Sequence, residues 1–254
     1  MFVRLVALAA LLFAPYQAPA PAKPAAQEET LPDAREIINR HIKAIGGAQA
    51  VMAHKSMHAT GTLSVPASGI SGPIEIFGAK EPDRVLVKTS VQGIGDILEG
   101  FDGSHAWSMS PMTGPMLKVG KELDQAKLDA DFYSELRDPK KYPQVKTIEK
   151  VPFEGRPCYK VQLSRIDGSV DFDLYDAATG LRAGSITTRE SPMGTITVTS
   201  VTSDYKKFGD MMMASAMSQK VMGVEQKISV STVEFDKVDG TVFDPPAPIK
   251  ALIK

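Results

Sequence analysis

The chain has 254 residues, of which 43% are hydrophobic and 23% are charged, enough to bury a full core in one β domain or in two small ones. Its 29 basic and 30 acidic side chains give a formal net charge of -1, and no cluster of Lys and Arg is dense enough to form a groove for a phosphate backbone. We therefore expect a single domain and no nucleic-acid partner.

The N-terminus is typical of a secretory signal peptide. Arg4 precedes an apolar run over residues 5–13, which is far shorter than the roughly 20 residues of a membrane-spanning helix. The small residues at 20–22 favour cleavage there, although any position from 18 to 26 remains open. We expect a signal peptide over residues 1–22.

Two segments follow the predicted signal peptide. Residues 23–32 are rich in Ala and Pro and should form a partly extended tether. The folded domain is then expected over residues 33–254. A lipid anchor would need a cysteine directly after the apolar run, whereas the chain's single cysteine is Cys158. These features favour a protein that is free in the periplasm.

Cys158 also limits how the fold can be held together. One cysteine allows no internal disulfide, so core packing and sheet hydrogen bonds must supply the stability. The neighbouring sequence Arg156-Pro157-Cys158-Tyr159 has no histidine or second cysteine to activate a thiolate. We interpret Cys158 as a small residue of a strand.

A helix is predicted over residues 33–45. Thr30 followed by Asp33 resembles a capping box, and two glycines at 46–47 end the helical pattern. The apolar residues share one face, so this helix should cover an apolar surface. That face carries Ala34, Ile37, Ile38, Ile42 and Ile45. A short second helix is expected over residues 48–53.

From residue 56 the hydrophobic period becomes two, which predicts antiparallel strands separated by turn residues. A helical pattern at residues 120–136, with Leu128, Phe132 and Leu136 on one face, interrupts them. The expected strands are 57–65, 72–79, 84–91, 96–101, 105–109, 145–151, 158–165, 170–175, 181–189, 195–205, 216–222 and 228–235. Because open sheets of more than about ten strands tend to curl, we expect one strongly curved sheet in a mainly β (α+β) fold.

The stretch 99–109 predicts a tight hairpin closed by Asp102 and Gly103, which we place in the middle of this sheet. A two-residue loop would pair Trp107, the chain's only tryptophan, with Leu98, and a loop that includes a bulge would pair it with Glu99. In either register Trp107 has a defined face, and we expect that face to be the concave one.

No nucleophile, metal or nucleotide motif stands out in the sequence. His54 and His58 are four residues apart but are separated by a break between helix and strand, so they lack a shared face for a metal ion. Asp171, Asp173 and Asp176 alternate with apolar residues along one strand, which indicates a solvated outer face and a turn rather than a calcium loop. We expect no catalytic residue, no metal and no cofactor.

Turn and strand motifs occur in a recognisable order over residues 33–246. They include Glu81-Pro82-Asp83-Arg84, Gly100-Phe101-Asp102-Gly103, Phe153-Glu154-Gly155-Arg156, Tyr175-Asp176-Ala177-Ala178-Thr179-Gly180, Asp204-Tyr205 and Phe243-Asp244-Pro245-Pro246. Because its motifs occur in this order, the chain resembles the outer-membrane lipoprotein-sorting-like family, the LolA-like superfamily of periplasmic lipoprotein and lipid carriers. The resemblance implies a half-barrel sheet whose apolar concave face is covered by helices and leaves a cavity for acyl chains.

We therefore expect a non-enzymatic periplasmic carrier or chaperone that binds acyl chains of lipoproteins or lipids. Delivery proteins of the inner or outer membrane would be its partners, and the alternative is a structural or sensor domain of the cell envelope without cargo. Methionines cluster at 109–116 and 211–217, where their adaptable side chains would suit varied apolar ligands. The expected cavity residues are Trp107, Met109, Phe101, Leu98, Ile38, Ile42, Phe132, Met211 and Met213.

Overall fold

Thirteen strands of one antiparallel sheet account for most of the described chain. The computed structural model describes residues 30–191, 194–221 and 223–253, so the predicted signal peptide and residues 23–29 of the tether lie outside the described residues. The strands are β1 (Ser56–Val65), β2 (Ile70–Ala79), β3 (Arg84–Val91), β4 (Gly95–Phe101), β5 (Ala106–Ser110), β6 (Gly114–Lys118), β7 (Gln144–Phe153), β8 (Arg156–Ser164), β9 (Val170–Asp176), β10 (Arg182–Ser191), β11 (Gly194–Phe208), β12 (Met211–Val221) and β13 (Val224–Phe235).

The period-two pattern predicts twelve of these strands and misses β6. Gly114 and Pro115 disfavour a strand in the sequence. Pro115 is nevertheless tolerated because β6 is an edge strand, where it pairs only with β5 and needs no hydrogen bonds on its other side. The prediction of one large antiparallel sheet is confirmed.

The chain enters the sheet at its centre. The strand order is β6-β5-β4-β3-β2-β1-β13-β12-β11-β10-β9-β8-β7, so that β1 pairs with β2 on one side and with β13 on the other. Strands β6 and β7 are the two edges. The predicted central position of the Asp102-Gly103 hairpin is therefore wrong, because it joins β4 to β5 next to one edge.

Four α-helices accompany the sheet in the described residues. They are α1 (Ala34–Ala44), α2 (Ala48–Ala53), α3 (Lys121–Asp129) and α4 (Ala247–Lys250), and short 3-10 turns occupy Pro66–Ser68, Ser134–Leu136 and Gly240–Phe243. Helices α1 and α2 lie where the sequence predicts them. The N-cap of α1 is Asp33 rather than Thr30, because the Asp33 carboxylate accepts hydrogen bonds from the backbone N–H groups of Arg35 at 2.8 Å and Glu36 at 3.3 Å.

Residues 119–143, which we call the crossing segment, connect the two edges of the sheet and carry α3. Helix α3 contacts both β5 and β10, which are eight strand positions apart, or roughly 38 Å in a flat sheet. A nine-residue helix is only about 14 Å long. The sheet must therefore curve around α3, and the face that packs against α3 is the concave face.

The helix predicted over residues 120–136 is too long. Helix α3 ends at Asp129, and the chain then follows the sheet surface instead of continuing as a helix. The backbone N–H of Phe132 donates to the Asp83 carboxylate at 3.2 Å, and Arg137 adopts a left-handed conformation with φ +46°. These tertiary contacts outweigh the helical periodicity of Leu128, Phe132 and Leu136.

Helix α1 covers the concave face on the β7 side of the sheet. Its apolar stripe packs on strands β8 and β9 in a buried cluster. The members of this cluster are Ala34, Ile37, Ile38, Tyr142, Val161, Leu163 and Tyr175. Full burial of each large aliphatic side chain contributes about 2 kcal/mol of hydrophobic stabilisation. The prediction that helices cover the concave face is confirmed.

Buried ion pairs lie beneath this helix, where the sequence predicts a solvated face. Asp173 is 2% exposed and accepts a hydrogen bond from Arg137 Nε at 2.7 Å and another from the Tyr175 hydroxyl at 2.9 Å. Asp171 is also buried and pairs with Arg165. The outward orientation predicted for these aspartates is wrong, because both are buried and each pairs with a cation, Asp173 with Arg137 of the crossing segment and Asp171 with Arg165 of the turn between β8 and β9.

Trp107 lies on the opposite, convex face. The loop Asp102–His105 has four residues, so Trp107 pairs with Gly100 and neither predicted register is correct. Two backbone N–H groups, those of Ser104 and His105, donate to the Asp102 carboxylate at 2.7 Å and extend the loop. A Cβ at Gly100 would lie 2.4 Å from Trp107 Cζ2. Only glycine leaves room for the indole there.

The C-terminal segment covers Trp107. Phe243 and Ile249 join Phe77, Leu86 and Trp107 in one buried cluster, and Trp107 is 1% exposed. This cover was not predicted from the sequence, since residues 240–250 show neither strand nor helix periodicity of useful length. The segment therefore protects the convex side of strands β2 to β6.

We predict that Phe243→Ala lowers the free energy of unfolding by roughly 3 to 5 kcal/mol, the usual cost of such a cavity. Urea denaturation followed by Trp107 emission should show the lower midpoint and a red-shifted native baseline. Ser229→Ala, at an exposed position of β13, should change stability by less than about 0.5 kcal/mol. Unchanged stability and unchanged emission of Phe243→Ala would contradict the proposed cover.

Candidate functional site

A cavity of about 420 Å³ lies between the concave face of the sheet, the end of the crossing segment and helices α1 and α2. It lies where β1, β3, β10 and β12 begin and where β2, β11 and β13 end, so its walls come from distant parts of the chain. This volume is within the roughly 300–1,000 Å³ of typical ligand sites.

The sheet forms an apolar floor. Side chains on the concave face of β1, β2, β12 and β13 line it, among them Met57, Ala59, Ile76, Met213, Met217, Val230, Val233 and Phe235. Strands β1 and β13 pair so that Met57 lies opposite Phe235 and Ala59 lies opposite Val233, which brings these four side chains to one surface. The floor therefore offers hydrocarbon and thioether groups and few hydrogen-bonding partners.

The crossing segment forms the roof. Phe132 lies over Gly78, where an added Cβ would be 3.3 Å from the ring, so glycine allows the close approach. The Tyr133 hydroxyl donates to the backbone carbonyl of His54 at 3.0 Å and joins the roof to the loop after α2. The roof is thus held at both the sheet and the helices.

One side of the cavity is charged. Glu135 of the crossing segment accepts from His41 Nε2 at 2.9 Å through Oε2, and from the Arg182 guanidinium at 2.6 Å through Oε1. Burial alone would raise the pKa of Glu135, but the charge of Arg182, with help from His41 and Arg137, outweighs it and holds the pKa well below its usual range. Glu135 therefore stays ionised and its ion pairs persist.

The start of β10 holds Arg182 in place. The backbone carbonyl of Arg182 accepts hydrogen bonds from the Thr202 hydroxyl at 2.6 Å and the Tyr205 hydroxyl at 2.9 Å. Its side chain is 19% exposed, and the structure shows one hydrogen bond from its guanidinium to the described residues, the one to Glu135. The backbone at Arg182 is thus fixed and Glu135 orients the guanidinium, while part of its donor capacity remains open.

His54 also lines the cavity, and its ring contacts two carboxylates. Its Nδ1 faces Asp236 Oδ2 at 2.7 Å, its Nε2 faces Asp210 Oδ1 at 2.8 Å, and its ring stacks on Phe235 with centroids 4.1 Å apart. Burial opposes protonation, but the hydrogen bonds to Asp236 and Asp210 outweigh it and raise the pKa of His54. The ring links the α2–β1 loop to the turn after β11 and the end of β13.

Three predicted cavity residues lie on the wrong face. Trp107 packs under the C-terminal segment, and Leu98 and Met109 share its face of the sheet. Alternation along the strands correctly groups these three side chains, but it does not say which face of the sheet is concave. We therefore withdraw them from the cavity.

The other six predicted residues are on the concave side. Phe132, Met211 and Met213 line the cavity. Phe101 instead packs beneath α3 with Ala106 and Ala130, and Ile38 and Ile42 pack between α1 and the sheet. A binding role stays a prediction for the three lining residues.

Sequence reasoning missed the charged side altogether. Glu135 and Arg182 are 47 residues apart and neither sits in a recognised motif. The one available signal was His41, a histidine close to the predicted apolar stripe of α1, which becomes 1% exposed in the structure. A buried histidine needs a polar partner, and Glu135 supplies it.

The described part of the chain comprises residues 30–191, 194–221 and 223–253. In these ranges no group of three or more His, Cys, Asp or Glu is arranged to hold a metal ion. His58, which the sequence places near His54, instead pairs with Glu75 at 3.0 Å and stacks on Phe77. The same ranges contain no helix with the length and apolar character needed to span a membrane.

Known structures share this architecture. No protein-family model matches the chain and no curated protein matches its sequence. A LolA superfamily protein from Nitrosomonas europaea aligns with a TM-score of 0.52 at 11% identity, over 85% of this chain and 99% of that one. A DUF1329 family protein from Desulfovibrio piger aligns with a TM-score of 0.51 at 12% identity, over 85% and 99%. At such identities the similarity concerns the fold, and the protein has a LolA-like fold.

The His54 contacts predict a pH dependence of stability. Because the folded pKa of His54 is raised, its contribution is complete below the unfolded value of about 6.5 and is lost as pH rises through the folded value. Loss of about 1 kcal/mol, the net value of one hydrogen bond, lowers Tm by about 2–4 °C. The Tm of the native chain, relative to that of His54→Gln, should therefore fall between pH 6 and pH 9.

Thermal unfolding followed by circular dichroism at several pH values measures this difference. His105→Gln is the matched control, because His105 lies in an exposed loop with a single carboxylate neighbour, Asp102, at 3.2 Å. It should leave the pH dependence of Tm in place. A constant Tm difference between the native chain and His54→Gln from pH 6 to pH 9 would contradict the assigned contacts.

Proposed function

We propose that this protein is a non-enzymatic periplasmic carrier that binds an acyl chain of a lipoprotein or a lipid in the cavity. The single observation that carries the proposal is the apolar floor on the concave face, roofed by the crossing segment. Such a surface would normally be filled by core side chains, as it is beneath α1 and α3. Binding an apolar chain there would remove the floor from water.

The composition of the floor fits a hydrocarbon ligand. Met57, Met213 and Met217 contribute unbranched side chains that adjust to ligands of different shape. Each CH₂ group of a ligand that leaves water contributes about 0.8 kcal/mol. A chain of even modest length therefore gains useful affinity without any specific hydrogen bond.

The resemblance in the order of motifs, together with the LolA-like fold, supports a role in carrying acylated cargo through the periplasm. A carrier needs reversible binding and no catalytic group, and delivery proteins in the inner or outer membrane would load and unload it. The predicted signal peptide would bring the chain to that compartment.

We predict that filling the cavity weakens acyl-chain binding. Val230 lies on the floor and is half-buried, so Val230→Phe should place a ring where the ligand lies and weaken binding at least about tenfold, which corresponds to 1.4 kcal/mol. The measurement is displacement of a fluorescent fatty acid from delipidated protein by a long-chain acylated peptide.

The matched control is Ser229→Phe, which places the same ring at the preceding residue of β13, whose side chain is exposed. Its affinity should equal that of the native chain. Equal binding by Val230→Phe and the native chain would place the ligand elsewhere, and absence of binding by the native chain would contradict the carrier proposal itself.

A further inference from the structure

We propose that Arg182 binds the anionic head group, a carboxylate or a phosphate, of a single-chain amphiphile whose hydrocarbon chain lies on the apolar floor. This inference rests on the proposed function and names the chemistry of the ligand. The cavity combines both requirements, because an apolar floor and a charged side face the same space of about 420 Å³.

The guanidinium of Arg182 has donors to spare. An arginine carries five N–H donors in a planar fork that matches a carboxylate or a phosphate. Arg182 directs one nitrogen to Glu135 Oε1 at 2.6 Å, and the structure shows no other side-chain hydrogen bond from Arg182 within the described part of the chain. Because the side chain is 19% exposed and lines the cavity, an anion can reach the remaining donors.

The carboxylates around the cavity favour an anion over a cation. Glu135 already uses both oxygens, one for His41 and one for Arg182. Asp129 pairs with Arg189 at 2.5 Å, and Asp131 pairs with Lys141 at 2.7 Å. A cationic head group would have to displace one of these partners, whereas an anionic one needs only the open face of Arg182.

The groups around Arg182 are held in place before a ligand binds. Arg137 is a second buried cation near Glu135, and its charge is matched by Asp173 at 2.7 Å. The hydrogen bonds from Thr202 and Tyr205 fix the backbone of Arg182, and the ion pair with Glu135 orients its guanidinium before a ligand binds. Charge-assisted hydrogen bonds at such a water-poor site are about twice as strong as neutral ones.

Four unbranched probes of fourteen carbon atoms each test the head group by calorimetry on the delipidated mature chain: tetradecanoic acid, tetradecyl phosphate, tetradecanol and tetradecylamine. The acid and the phosphate should bind at least about tenfold more tightly than the alcohol, as one charge-assisted hydrogen bond predicts. The amine should bind no better than the alcohol. The tighter of the two anions distinguishes a fatty acid from a phosphorylated lipid.

Two variants assign the preference to Arg182. Arg182→Gln should reduce the affinity for the acid to that of the alcohol. Glu135→Gln removes the competing negative charge and keeps one acceptor oxygen for Arg182, while its amide N–H can donate to His41 Nε2. It should therefore bind the acid about threefold to tenfold more tightly than the native chain does. Arg165→Gln, which breaks the Asp171 ion pair outside the cavity, is the control and should bind all four probes as the native chain does.

The outcomes separate this inference from the proposed function. If the native chain and Glu135→Gln bind the acid, the alcohol and the amine equally, the ion pair only ties the crossing segment to β10 and the head-group inference is overturned while the carrier proposal stands. If none of the four probes binds the native chain, the carrier proposal fails as well. If Arg182→Gln does not fold, the gain expected of Glu135→Gln still decides the question.

Discussion

The antiparallel pairing of β1 with β13 is the constraint on which the rest of the structure depends. It joins the first strand to the last at the centre of the sheet, so the two meanders must end at opposite edges. The pairing is close, since a Cβ at Gly61 would lie 1.9 Å from the Ser229 carbonyl oxygen, and a bulge follows at Thr60 and Gly61. Thr60 and Thr232 exchange a hydroxyl hydrogen bond of 2.7 Å beside it.

This topology requires the crossing segment. Because β6 and β7 lie at opposite edges, the chain between them must cross a face of the sheet, and α3 fills part of the space there. Beyond α3 the segment is held by side chains rather than by regular structure, through Asp83, Glu135 and Arg137. The cavity is the space that remains between this irregular part and the floor, and its charged side consists of the groups that hold the segment.

The sequence predicts the strands well because a hydrophobic period of two is a local property. It predicts α1 equally well, since the cap and the apolar stripe are both local. It fails where the outcome depends on which face becomes covered: Trp107 is grouped correctly with Leu98 and Met109, but their face is covered by the C-terminal segment. Asp173 likewise looks solvated until α1 and Arg137 cover it.

The local reach of sequence patterns also explains which residues of the candidate site could be predicted. Met211, Met213 and Phe132 were accessible to sequence reasoning because clustering and periodicity mark them as apolar and adaptable. Glu135 and Arg182 come together only through the crossing segment, a long-range feature that no local pattern encodes. The physical division of the cavity into a hydrocarbon floor and a charged side therefore becomes visible only in three dimensions.

Native mass spectrometry of the protein, purified without detergent from its own cell envelope, tests the central claim that the cavity holds an acyl chain. We expect a species heavier than the mature polypeptide by the mass of one acyl-bearing molecule, and extraction with organic solvent should remove that molecule. The claim would be contradicted by two results together. The purified protein would show only the polypeptide mass, and after solvent treatment it would take up no added acyl ligand.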